Sequence, residues 1–320
     1  MKKKKKKLKL KTSVKVFIVI VILACIGIKI GLDKYNEYLY QQTYEYKLLQ
    51  KNYSKEEIDI ILDKLDEDYV NSLLEKDYVP KLSDFLKEKY FIRNRLERYL
   101  DYYQKNPKSD VSDIVTLVNV NRDYKFYDKV FSTDISKGIL MLVNKYYYLE
   151  EDYVPEELVK VSSQYGYDGN SARKDVLDAF IDMANSAKEE GITLIINSSY
   201  RNYQDQKKTW DNKRKVSGEK AADAFAARPG FSEHQSGLAL DINEFASTAD
   251  DFEETKAFEW LSKNASLYGF ILRYPKDKED ITGYSYESWH YRYVGKDTAL
   301  KVFQSGLTYE EYYAYYIENN

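Results

Sequence analysis

Apolar and polar positions divide the 320-residue chain into stretches of different rhythm. The first is an unbroken apolar run, Val16 to Ile28, thirteen residues without a charge. Counted from Val14 to Leu32, with Lys15 and Lys29 as snorkelling ends, it reaches nineteen residues. A membrane-spanning helix needs about 20, and long cationic side chains at its ends reach the headgroups. From Asp33 to Asn106 the rhythm is that of short amphipathic helices. Ser54-Lys55-Glu56-Glu57 forms a capping box, and Ile58, Ile61, Leu62 and Leu65 follow at helical spacing. Val70, Leu73 and Leu74 open a second run, which Pro80 breaks. Leu82, Phe85 and Leu86, then Tyr90, Ile92, Leu96, Tyr99 and Leu100, continue the pattern to Asn106-Pro107. Residues 33–134 thus read as a helical module or stalk.

Beyond it the periods mix. Ser112 to Val120 is rich in β-branched residues and reads as a strand or a linker. Ala172 to Glu190 predicts a helix with Val176, Leu177, Phe180, Ile181 and Ala184 on one face, capped by Gly191. Ile192 to Ile196 is a short buried strand that exits through Asn197-Ser198-Ser199-Tyr200-Arg201. Helix resumes over Gln204 to Lys213, strand over Ala239 to Ile242, helix over Lys256 to Tyr268 and strand over Trp289 to Val294. Helices and short strands without regular βαβ alternation predict an α+β fold for residues 135–320.

Charge sharpens the reading of the N-terminus. Residues 1–15 hold nine lysines and no acid; removing those nine from the 49 basic residues leaves 40 against 52 acidic, a balance of −12. A nucleic-acid-binding face is therefore not expected outside the tail. Lysines before an apolar run stay in the cytoplasm. Residues 1–15 read as a cytoplasmic basic tail, 16–32 as a signal anchor, and everything beyond as extracellular. Two other readings share that topology: a lipoprotein signal, since Ile22-Leu23-Ala24-Cys25 resembles a lipobox, and a cleaved secretory signal. Cys25 is the chain's one cysteine. No internal disulfide, Cys-ligated zinc site or Cys nucleophile is possible. The 33 tyrosines combine an apolar ring with a polar tip and read as core and surface filler.

Candidate chemistry gathers around the only two histidines. His234 lies in Phe231-Ser232-Glu233-His234-Gln235-Ser236-Gly237-Leu238-Ala239-Leu240-Asp241, and His290 in Tyr286-Glu287-Ser288-Trp289-His290-Tyr291-Arg292-Tyr293. His234, Asp241 and His290 offer two nitrogens and one carboxylate oxygen, a set that suits a catalytic zinc with one position left for water. Glu287 is the candidate general base. In an ideal strand, positions 287 and 290 face opposite ways, so this reading predicts an irregularity around Glu287 and Ser288. Gly237 would let the backbone approach closely before the strand carrying Asp241. Position and spacing leave a structural role for both histidines open as well.

Ser232-x-His234-x-x-Gly237-x-Ala239-x-Asp241 and Glu287-x-Trp289-His290-x-x-Tyr293 resemble the two signature motifs of the zinc D-Ala-D-Ala carboxypeptidases of the vancomycin-resistance type. Ser199-Tyr200-Arg201-Asn202-Tyr203-x-x-Gln206 resembles that family's substrate-binding strand exit. The resemblance spans Ile139 to Gly306. It implies a small antiparallel sheet flanked by helices, similar to hedgehog and lysostaphin-type metallopeptidases. It implies one Zn2+ on His234, Asp241 and His290, with Glu287 as catalytic base. Arg201 would grip the peptide's terminal carboxylate, for which a guanidinium offers a bidentate fork. Gln206 and Ser232 would be further substrate contacts. Glu233, Glu244, Arg228 and Arg292 match no motif and read as solvated or structural; Trp289 and Tyr293 read as packing beneath the site.

The expected function is removal of the C-terminal D-alanine from peptidoglycan stem peptides by an externally anchored enzyme. An L,D-carboxypeptidase acting on tetrapeptide stems has the same chemistry. A non-catalytic wall-binding protein, with the helical module as its working part, is the alternative from another class.

Overall fold

A computed structural model describes residues 11–244 and 251–318; most of the basic tail lies outside them. The chain divides into two compact units at Phe91/Ile92. In the first, α1 (Thr12–Gln42) has no buried residue and carries an 18-residue window of mean hydropathy 2.6. Among the described residues it is the one helix long and apolar enough to cross a membrane. Four short helices follow: α2 (Tyr44–Gln50), α3 (Lys55–Lys64), α4 (Glu67–Glu75) and α5 (Leu82–Lys87). The capping box forms, with Ser54 and Glu57 bonding each other's backbone N–H. Leu48, Ile58, Ile61, Val70, Leu73 and Phe85 are buried.

The second unit begins well before the break expected at residue 134. Its first helices, α6 (Leu96–Lys105) and α7 (Val111–Asn119), are tied to the end of the chain. Arg95 donates to the Asn119 carbonyl at 2.7 Å and pairs with Glu318 at 2.5 Å, and the Tyr315 hydroxyl donates to Thr116 at 3.2 Å. Helix α7 corrects the strand-or-linker expectation for Ser112 to Val120. Asp110 caps it, and Ile114, Val115 and Val118 are buried at helical spacing. Burial of that stripe overrides the weak strand preference of its β-branched residues.

The remaining elements alternate in short pieces: β1 (Phe131–Ser132), β2 (Tyr147–Tyr148), β3 (Leu158–Lys160), β4 (Ser171–Arg173), α8 (Lys174–Glu189), β5 (Ile195–Ser198), α9 (Tyr203–Ser217), α10 (Glu219–Phe225), β6 (Ala239–Asn243), α11 (Lys256–Asn264), β7 (Phe270–Tyr274), α12 (Glu279–Thr282), β8 (Glu287–Tyr293), α13 (Lys296–Ser305) and α14 (Tyr309–Tyr316). The central sheet runs β5-β6-β8-β7, antiparallel throughout. Val176, Phe180 and Met183 of α8 and Trp260 and Leu261 of α11 join Leu240, Ile242 and Tyr291 in the main core. This is the expected α+β architecture, with one sheet face sealed by helices and the other free to carry chemistry.

Candidate metal centre and active site

Strand alternation sets the first two components. Leu238, Leu240 and Ile242 point into the core, so Asp241 projects from the opposite face. His290 on β8 stands directly across from Asp241, and cross-strand partners share a face. The third component is one turn of 3-10 helix, Glu233–Ser236, capped by Ser232 and closed by Gly237 at φ +70°. A Cβ at Gly237 would lie 3.0 Å from the side chains of Arg173 and Pro155. The expected close approach is real, and only glycine meets both demands.

These elements bring one ligand atom each from His234, Asp241 and His290 to within 4.8 Å of one another. His234 Nε2 lies 3.5 Å from Asp241 Oδ2, and His290 Nδ1 lies 3.2 Å from Asp241 Oδ1. His234 Nδ1 is 2.7 Å from the Ser199 carbonyl oxygen. A carbonyl only accepts, so Nδ1 carries the proton and Nε2 offers its lone pair. Asp241 Oδ1 is buried with no hydrogen-bond partner. An orphaned buried oxygen is costly, and a cation between the two imidazoles removes that cost. The donor set therefore fits a zinc ion.

Glu287 Oε2 lies 3.5 Å from His290 Nδ1. The geometry that permits this is a register slip. Leu272 faces Tyr291 but Tyr274 faces Glu287, so Ser288 to His290 bulge against Arg273 alone. The bulge brings residues three apart to one site and is the irregularity the spacing predicts. Arg201, past the end of β5, donates to Gln206 Oε1 at 2.8 Å and to Ser198 Oγ at 2.9 Å. Gln206 in turn donates to the Ala227 carbonyl at 2.7 Å. All seven candidate residues line one cleft of about 200 Å³. Trp289 lines it and also packs against the main core, whereas Tyr293 packs on Phe270 with ring centroids 5.3 Å apart.

Burial and charge set the ionisation of the cluster. For Asp241, burial works upward, but the two imidazoles outweigh it and hold the carboxyl well below the usual carboxylate range. His290 is pushed down by burial, yet the carboxylates of Asp241 and Glu233 lift it to about 9. The pocket thus favours positive charge at its centre. His234 is lowered, chiefly by burial. Burial lifts Glu287 to about 7 against the opposing charge of His290, the range in which a carboxylate both accepts and returns a proton.

Patterning missed a second layer. Glu233 and Arg292 are not solvated: they are 2% and 0% exposed. Glu233 Oε1 accepts from Arg273 Nε at 2.8 Å and Arg292 Nη1 at 2.7 Å. Arg273 also grips Glu310 of α14 through two bonds, at 2.8 and 2.6 Å. The one available signal was Arg273 on the otherwise apolar strand β7. Arg228 is structural, bound to Asp223 and Glu219.

A His-Asp-His cluster drawn from two strands and a turn, with a buried carboxylate beside it and a guanidinium in the same cleft, is what a metal-dependent peptidase requires. The family model described as VanY, D-alanyl-D-alanine carboxypeptidase, matches residues 169–296, which include all seven candidates. A D-alanyl-D-alanine carboxypeptidase of Enterococcus faecium is 32% identical over 241 residues, 72% of this chain and 74% of that protein. A D-alanyl-D-alanine carboxypeptidase of Enterococcus faecalis is 43% identical over 142 residues, 41% of this chain and 51% of that protein. Among solved structures, the LdcB LD-carboxypeptidase is 41% identical with a TM-score of 0.55, covering 59% of this chain and 91% of its own. The chain belongs to the VanY D-alanyl-D-alanine carboxypeptidase family.

Proposed function

We propose that this protein is a zinc-dependent D,D-carboxypeptidase that removes the terminal D-alanine of peptidoglycan stem peptides. The observation that carries the proposal is the convergence of His234 Nε2, Asp241 and His290 Nδ1 beside Glu287 in a cleft that also holds Arg201. Zinc bound there supplies Lewis acidity toward the scissile carbonyl and makes water reactive near neutral pH.

The chain's own residues do the rest. Glu287 takes the proton of the attacking water and returns it to the leaving amine, for which its raised pKa is suited. Arg201 binds the free terminal carboxylate and so selects chain ends. Ser198 and Gln206 hold its fork in place. The amide of Gln206 is engaged at both ends, so its part in binding runs through Arg201. Ser232 caps the turn that carries His234 and leaves its hydroxyl hydrogen for substrate. Helix α1 anchors the chain with the peptidase unit outside, toward its substrate.

The likeness to LdcB favours one second reading, L,D-cleavage of tetrapeptide stems. The non-catalytic alternative accounts for none of the convergent geometry. Penta-, tetra- and crosslinked peptides incubated in parallel with the zinc-loaded chain, and read by mass spectrometry, separate the readings. Loss of one D-alanine from the pentapeptide supports the proposal. Cleavage of the tetrapeptide alone moves the assignment to L,D, and no cleavage of any overturns it.

A further inference from the structure

His290 has two ring nitrogens with different surroundings. Nδ1 faces Asp241 and Glu287. Nε2 is buried, lacks a hydrogen-bond partner, and stands 3.5 Å from Glu233 Oε2, which is buried and equally without a partner. The other oxygen of Glu233 already accepts from both Arg273 and Arg292. Two guanidinium groups on one oxygen fix the carboxylate plane and leave the second oxygen turned to the imidazole. They also place two cationic groups against its charge.

Arg273 and Arg292 are themselves held. Arg292 donates to the carbonyls of Met141 at 2.6 Å and Ile139 at 3.1 Å. Arg273 is clamped by Glu310, which also accepts from Asn144 at 3.3 Å. The carboxylates of Glu233 and Glu310 and both arginines are at most 2% exposed.

We propose that Glu233 is a positioning residue that keeps the proton of His290 on Nε2 and turns Nδ1 toward the metal. Through Arg273, Glu310 makes helix α14 part of the support of that ligand. The turn Glu233–Ser236 then places both histidines, one directly and one through its neighbour's carboxylate. The two imidazoles carry their protons on opposite nitrogens, His234 on Nδ1 and His290 on Nε2. This inference rests on the metal-site reading above. It reaches beyond the family match, because Glu310 lies outside residues 169–296.

The test uses the full chain in detergent. Zinc affinity by chelator competition is measured for the native protein, Glu233→Gln, Glu310→Gln and, as a control for lost stability, Val118→Ala in α7. Orienting partners of ligand histidines are worth roughly 10- to 100-fold in affinity. Glu233→Gln is expected to weaken zinc binding by that factor and Glu310→Gln by less, with Val118→Ala unchanged. Nitrogen-15 spectra of the zinc-loaded native chain need no variant to fold, and only two histidines contribute. One Nδ1–H and one Nε2–H imidazole are expected. Native zinc affinity in Glu233→Gln, or two imidazoles of the same tautomer, overturns the inference while leaving the metal site intact. A native chain that binds no zinc removes the reading on which it rests.

Discussion

Glu287 and Arg201 occupy one cleft, and the proposed function gives them separable duties. Replacing Glu287 by Gln preserves shape and removes the proton acceptor, so kcat should fall by about 10²- to 10⁴-fold with zinc content and melting temperature near native. Unchanged turnover would show that another group moves the proton. Arg201→Ala should act mainly on KM for peptides with a free terminal carboxylate. Arg201→Lys should recover only part of the loss, because a point charge does not replace a bidentate fork. Steady-state kinetics on free and C-terminally amidated peptides check this: the native enzyme should discriminate between them, and the Ala variant should not. At this scale the sequence was legible where chemistry is local. His234, Asp241, His290 and Glu287 fall inside two short motifs. The Arg273–Glu310 pair did not show, because its partners are 37 residues apart and hydrophobic patterning assigns no place to a buried charge.

Elements were legible where one period dominated. Helix α8 and strands β6 and β8 follow their apolar rhythm to within a few residues. Helix α7 was hidden because Val111, Ile114, Val115, Thr116, Val118 and Val120 carry strand preference, and only Asp110 and the burial of one face decide for helix. The turn before β6 offers the clearest test at this scale. Gly237 combines φ +70° with 3.0 Å contacts to Arg173 and Pro155 at the place a Cβ would occupy. Gly237→Ala should cost about 1–2 kcal/mol from backbone strain alone, which calorimetry would register as a drop of roughly 2–8 °C. It should also weaken zinc binding, since that turn carries His234. A melting temperature equal to the native value would mean the turn tolerates a side chain, contrary to the geometry.

For the whole molecule, topology governs function. The second compact unit starts at Ile92, ahead of the domain start read at residue 135, and Arg95 pairs with Glu318 while Thr116 accepts from Tyr315, contacts that no local pattern announces. The apolar stretch expected over residues 16–32 lies within a longer helix reaching Gln42. Lysines ahead of it predict that the peptidase unit faces outward. Protease added to intact cells should therefore degrade that unit and spare a tag placed before Met1; protection of the peptidase unit would reverse the orientation.

The most direct examination of the account is anomalous diffraction at the zinc absorption edge from crystals of the zinc-loaded protein. It should show one peak, with His234 Nε2, His290 Nδ1 and an Asp241 oxygen at about 2.0–2.2 Å, and Glu287 outside the first coordination sphere. A map without a peak there, or with the ion bound by other side chains, would contradict it.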